Sequence, residues 1–317
     1  MVKYAGPDTL AETRTDTDTD TDTDTDTDGS KDAARPFSVR RMARLLDVSA
    51  SGYYAYVKRA AARRLTPRKQ RRADLEVKIT GVHKESGGTY GSPRITAELR
   101  ARGEVVSEKT VAKIMAGIGI EGISPRTFKV KTTVADPKAS FPPDLVDREF
   151  DQGRVDAVWL TDITYLSCGE SEMYLCAVRD GHSRKVLGYT ISEHIGSEMV
   201  TEAIDAAVAT RGGRCRGTIL HSDRGGEYTG HLTVKACFRH GLRRSMGATG
   251  VCWDNSPAES FWSTFKHEHY YRHTYATQTE LVVAVDNWVR FYNAVRRHSA
   301  IGMLSPEDYE SSLRAAA

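Results

Sequence analysis

The chain has 317 residues with 45 Lys and Arg against 42 Asp and Glu, a formal net charge of +3, and is 39% hydrophobic and 27% charged. That length allows two domains of roughly 100–200 residues each, and the composition suits a water-soluble fold. No stretch approaches the roughly 20 apolar residues of a membrane span and the N-terminus lacks a signal peptide's apolar core, so membrane and secreted classes are excluded and a cytoplasmic location is expected.

The small net charge hides a division. Residues 1–30 carry 2 basic and 9 acidic groups, residues 31–140 carry 24 and 10, and residues 141–317 carry 19 and 23. A basic segment of net +14 points to a polyanion, with solvated basic helices as the plain alternative. The five cysteines (Cys168, Cys176, Cys215, Cys237 and Cys252) are odd in number and form no CxxC pair, which reads as reduced thiols.

In chain order, residues 1–34 contain seven Thr-Asp pairs and nothing apolar at alternate positions, and are expected to be a disordered tail. Residues 35–123 are expected to be a helical DNA-binding region. SVRRMARLLDVSASGYYAYVKR places Val39, Met42, Leu45 and Leu46 at helical spacing, breaks, and resumes at Tyr53, the outline of a helix-turn-helix whose Arg40, Arg41 and Arg44 suit DNA. A further helical unit follows over about 73–120. SPRITAELRARG starts with Ser92 as N-cap and Pro93 at the first helical position, carries Arg94 as a DNA-contact candidate, and ends at Gly103; Ser107 caps the next helix. Residues 124–150, with Pro125, Pro137, Pro142 and Pro143, read as a linker.

Over 151–312 the order changes to α/β. VDAVWLTDITYLS, MYLCAVRD and KVLGYTIS read as a three-strand meander, followed by helix, strand (GTILHSD), helix, strand (LRRSM) and two helices at about 257–272 and 278–296. That order is a ribonuclease-H-like α/β fold, a mixed sheet flanked by helices.

Three acids in this half call for an explanation. Asp162 sits mid-strand in VWLTDITYL, where aspartate is disfavoured. Asp223 ends another strand in HSDRGGEY, and Glu259 lies in the first turn of a helix in DNSPAESFWSTFK, capped by Asn255 or Ser256; 35 residues separate these two acids. Singly, each has a plain reading as a backbone partner, an Asx turn or a helix-dipole charge. Together they raise one another's pKa unless a hard cation offsets the charge, and Mg²⁺ takes oxygen ligands of this kind. Two such ions suit phosphoryl displacement. Lys266 follows Glu259 at i+7 on the same helix face, placed for DNA phosphate or simply for solvent.

The combination WLTDITY, HSDRGGEY, DNSPAESFWSTFK and YNAVRRHSAIGMLSPEDYE resembles the OrfB-type transposases of the IS-three group of bacterial insertion sequences, whose core is similar to retroviral integrases. DVSASGYYAYVKR and GTYGSPRITAEL resemble the family's N-terminal DNA-binding segments, so the resemblance covers about residues 36–312. It implies Asp162, Asp223 and Glu259 as an Asp-Asp-Glu catalytic and metal-binding triad, Mg²⁺ or Mn²⁺ as cofactor with two ions expected, and Lys266 as the basic residue after the glutamate. It implies nicking at element ends followed by strand transfer, with element-end and target DNA as partners, a homo-oligomer on DNA, and an upstream-frame partner, separate or fused. The Thr-Asp tail is foreign to the family pattern. Before Cys168 the only His or Cys is His83, so no structural zinc is expected. Two rival readings are a DNA-binding repressor of the parent element whose core has lost its chemistry, and a ribonuclease-H-like nuclease acting on RNA hybrids.

Overall fold

The computed structural model describes residues 38–61, 65–124, 141–247 and 255–316. The Thr-Asp tail, most of the expected linker and the core of the loop GATGVCWDN lie outside the described residues. The chain divides into two compact units, residues 1–73 and 74–317, so the boundary falls within the expected helical region.

In the first unit, α1 (Val39–Leu45) is capped by Ser38, whose hydroxyl accepts from Arg41 N, and α2 (Ala50–Ala61) follows. The helices form where the spacing places them. Their apolar face, however, is mostly uncovered: Leu45 and Leu46 are exposed, and Ala43 is the buried residue of α1.

The second unit begins with three helices: α3 (Pro67–Glu85), which starts before the boundary, α4 (Ser92–Ala101) and α5 (Glu108–Ile118). Leu75, Ile79, Val82, Ile95, Leu99, Val111, Ile114 and Met115 close a core among them. Ser107 caps α5 as its sequence predicts, accepting from Thr110 N at 3.2 Å. For α4 the cap differs: Gly91 takes the N-cap, and Ser92 opens the helix with its carbonyl accepting from Thr96 Oγ1. The chain at Gly91 packs so tightly on Gly122 that a Cβ at Gly122 would lie 2.2 Å from Gly91 N.

The α/β part has five strands in the order β3-β2-β1-β4-β5: β1 (Val158–Cys168), β2 (Ser171–Asp180), β3 (Val186–Ser192), β4 (Ile219–Ser222) and β5 (Arg243–Met246). The first three are antiparallel neighbours, whereas β4 and β5 run parallel to β1. Alternation sorts the side chains. Trp159, Cys176, Val178 and Leu220 face α6 (Ser197–Thr210) and α8 (His231–His240). Gly188 lets α6 lie directly on β3, because a Cβ there would fall 2.3 Å from Ala203 O. On the opposite face, Leu166, Met173, Leu175 and Ala177 pack against α9 (Ser256–Glu268) and α10 (Gln278–Ala294) through Phe261, Trp262, Phe265, Trp288 and Tyr292. Ribonuclease-H-like is the architecture that the strand and helix order predicts.

Three elements were not legible as such. The end of the expected linker is part of the core: Val146 is buried with Leu145 and Phe150 beside Val158, Leu160 and Ile219, and Leu145 N donates to Ser245 Oγ at 2.8 Å. A short α7 (Gly226–Thr229) follows Asp223. A last helix, α11 (Pro306–Ala316), is anchored by Glu310, which accepts from Arg211 and from Ser183 Oγ. Cys168, Cys176, Cys215 and Cys237 are buried free thiols. Among the described residues no helix is long and apolar enough to cross a membrane.

Candidate active site

The parallel pairing of β1 with β4 sets Leu160 opposite His221. Two residues further along come Asp162, in the middle of β1, and Asp223, the first residue past the end of β4; the charge of Asp223 acts on the Asp162 carboxyl, so the two lie within electrostatic reach. Asp162 has the parity of Leu160, which fixes the face of β1 that carries it. It is the face that α9 covers. Asp162 shares a small cavity with Leu160, Ala177, Arg179, Ala258, Phe261 and Trp262. Glu259, exposed on the first turn of α9, is the neighbour of those helix residues.

The electrostatics agree with this placement. Burial comes first among the causes that push the Asp162 carboxyl up to about 8, and the charges of Asp223 and Glu259 add to it. Asp223 is raised by desolvation, against the Gly225 N–H, and then by the charge of Glu227. Glu259 is raised by desolvation. Asp162 thus feels the charge of both other acids, a setting in which a positive charge would favour its ionised form.

One oxygen of each aspartate is held by backbone: Asp162 Oδ1 accepts from Ile163 N at 2.9 Å, and Asp223 Oδ1 from Gly225 N at 3.0 Å. Beyond these, the Trp262 indole N–H lies close to the Asp162 carboxyl, and the second oxygen of Asp223 has no hydrogen bond among the described residues. An all-oxygen donor set fits a hard divalent ion. Among the described residues no three His, Cys, Asp or Glu side chains are gathered closely enough to hold a metal, so Asp162, Asp223 and Glu259 do not form one closed ligand set here. Lys266 is half-buried two turns along α9; burial lowers its pKa and the charge of Asp162 raises it. It has no ion-pair partner among the described residues.

HSDRGGEY now resolves into separate tasks. His221 is buried, with Nδ1 2.9 Å from Ser245 Oγ. Arg224 donates to Gly247 O and lies over the Phe141 ring. Tyr228 is buried with its hydroxyl 3.5 Å from Thr161 Oγ1, tying α7 back to β1. Gly225 is small for lack of space, because a Cβ there would sit 2.6 Å from Glu227 Oε2 and 3.1 Å from Asp223 Oδ1.

Sequence reasoning missed two supporting side chains. Arg179, buried on β2, donates to Pro257 O at 2.8 Å and lies over the Phe261 ring, pinning the turn that carries Glu259 to the sheet. A charge inside MYLCAVRD was the available signal. Trp262 is buried with Nε1 lacking a partner in bonding geometry, yet close enough to Asp162 for its N–H to favour the ionised carboxyl.

The DNA-contact candidates separate. Arg40, Arg41 and Arg44 are exposed on α1. Arg94 instead turns inward, with Nη1 donating to the buried Glu268 at 3.0 Å. On α5 the exposed face carries Lys109, Thr110 and Lys113 beside Ala112, Ala116 and Gly117. A face with two lysines among small residues can come close to a backbone of phosphates; the sequence pointed to this helix pair, but not to these lysines.

Residues 152–252 and 240–306 match two integrase core domain models in overlapping stretches, and residues 69–128 match an HTH-like domain. The transposase InsF for insertion sequence IS3A of Escherichia coli (strain K12) is 34% identical over 276 residues, covering 87% of this chain and 94% of the relative. The insertion element IS600 uncharacterized 31 kDa protein of Shigella sonnei is 30% identical over 266 residues, covering 84% and 96%. The catalytic core domain of BIV integrase aligns in structure at 19% identity with a TM-score of 0.38, over 51% of this chain and 98% of that one. Identity of 34% sustained over 87% of the chain, on an integrase core preceded by an HTH-like domain, shows that the chain belongs to the transposases of IS3-type insertion sequences, enzymes of DNA transposition.

Proposed function

We propose that Asp162, Asp223 and Glu259 are the acids at which DNA is cut and joined, and that they would hold Mg²⁺ or Mn²⁺, two ions being the expected number. What supports this reading is that the charges of Asp223 and Glu259 both act on the Asp162 carboxyl, beside the parallel pairing of β1 with β4 and under the helix that carries Glu259. Divalent cations bound there supply positive charge to the attacking and leaving oxygens of a phosphodiester displacement. The chain's own residues orient the acids: the Ile163 and Gly225 N–H groups each hold one carboxylate oxygen, and Arg179 keeps the Glu259 turn on the sheet.

Lys266 meets a phosphate next to the acids, while Arg40, Arg41, Arg44 and the α5 face carrying Lys109 and Lys113 bind DNA further away. More than one copy assembles on element ends, with an upstream-frame partner or fusion, and the protein works in the cytoplasm. Mass measurement of the complex on terminal DNA reads the copy number directly.

Asp223→Asn is expected to lower Mg²⁺-dependent nicking and joining of element ends by at least about 10²-fold while DNA binding survives, because several kcal/mol of transition-state stabilisation go with the cation site. Full activity in that variant overturns the reading. Absence of Mn²⁺-dependent nicking by the unmodified protein on terminal DNA favours the repressor instead.

A further inference from the structure

Helices α4 and α10 meet along a seam of charges that none of the activity above requires. Glu268, at the end of α9, is 5% exposed, and Arg296, just after α10, is 4% exposed. Arg296 Nε donates to Glu268 Oε2 at 2.6 Å and Nη2 to Oε1 at 2.7 Å, while Arg94 of α4 adds a third bond to Oε1 at 3.0 Å. Beside it Arg297 pairs with Glu98 of α4, its backbone N–H donates to Tyr90 OH at 2.8 Å, and Phe291 of α10 packs into the core of the α3–α5 helices.

Burying a carboxylate costs several kcal/mol unless its partners are well placed, and an apolar seam of the same volume would hold as well. What a fully bonded ion pair adds is geometry, since guanidinium and carboxylate meet in few orientations. Glu268 stands on the same helix as Glu259, nine residues further on. That is about 13 Å of helical rise. One rigid rod thus carries a catalytic candidate at its start and the joint to α4 at its end.

We propose that the Arg94–Glu268–Arg296 seam fixes the distance between the DNA bound by α5 and the acids at Asp162, and so selects which phosphodiester is cut. This rests on the function proposed above. Arg94 and Arg296 are positioning residues, acting through α9 and not on DNA.

Arg94→Ala is the informative variant, because it leaves the buried Glu268–Arg296 pair intact. Three readouts are needed: cleavage positions on labelled terminal DNA at nucleotide resolution, DNA affinity across salt, and the distance distribution between spin labels at Ala101 and Glu193, both exposed. The seam predicts cuts spreading from the wild-type bond to its neighbours, a broadened label distance, and unchanged affinity and salt slope, with Arg94→Lys recovering the single cut. If Arg94→Ala instead weakens DNA binding and lowers the salt slope by about 1, Arg94 is a phosphate contact and the proposal is overturned. A single unshifted cut with a broadened distance also overturns it, since the joint would then not select the bond. Wild-type protein that binds DNA but cuts nothing refutes the catalytic reading and with it any selection of a bond, whereas an altered cut pattern in the variant alone leaves that reading standing.

Discussion

Asp162 is where a single residue most plainly conflicts with its surroundings. A strand interior has little use for an aspartate, and burial with two acidic neighbours pushes its carboxyl up to about 8. The conflict was visible in the sequence because residue type and strand pattern are both local. The role of Gly225 was not, because the atoms that exclude a Cβ belong to Asp223 and Glu227 in their folded places. Gly225→Ala is expected to cost under about 1 kcal/mol, since the Glu227 carboxylate can swing away and φ is ordinary. Moving Asp223 by a few tenths of an ångström should nonetheless cut the joining rate severely. Thermal melts alongside strand-transfer assays check this; wild-type activity would show that Asp223 tolerates displacement.

At the scale of elements, the periodicities of β1 to β5 and of α6, α8, α9 and α10 were legible because each repeats within its own segment. The pairing of β1 with β4 was not, as nothing local says which strand lies beside β1. Nor was the use of Arg179, whose acceptor Pro257 lies 78 positions away. Arg179→Ala is expected to destabilise the protein by about 2–3 kcal/mol, the usual loss for a buried charged donor, and to loosen the Glu259 turn. Urea unfolding measures the first effect, and hydrogen exchange over residues 256–260 measures the second. Unchanged exchange there means that α9 is seated by its aromatic face alone.

Across the whole molecule, charge is unevenly shared, with net +14 over residues 31–140. DNA affinity is therefore expected to fall steeply with salt, each neutralised phosphate contributing about −0.9 to the logarithmic slope. A flat response between low and physiological salt counts against 31–140 as the docking surface. The seam gives a pH dependence of definite sign. Burial alone would raise Glu268, but the hydrogen bonds and charge of Arg296, then of Arg94, outweigh it and hold the carboxyl below its ordinary 4.5. An acid held low in the folded state contributes stability that is complete above its unfolded value and lost as pH falls through the folded one. The melting temperature of the wild type should thus drop more steeply below about pH 4.5 than that of Glu268→Gln. Parallel slopes would show that Glu268 titrates normally.

The sequence by itself determined the secondary structure of the core, its fold class and the family, since each is written in residue type and spacing within a short window. Only the tertiary structure decided that Arg94 faces Glu268, 174 positions away, that residues 141–150 contribute to the core, and that the charges of Asp223 and Glu259 reach Asp162. The physical reason is that a charge or an apolar side chain acquires its role from what buries it, and the burying partner lies far along the chain.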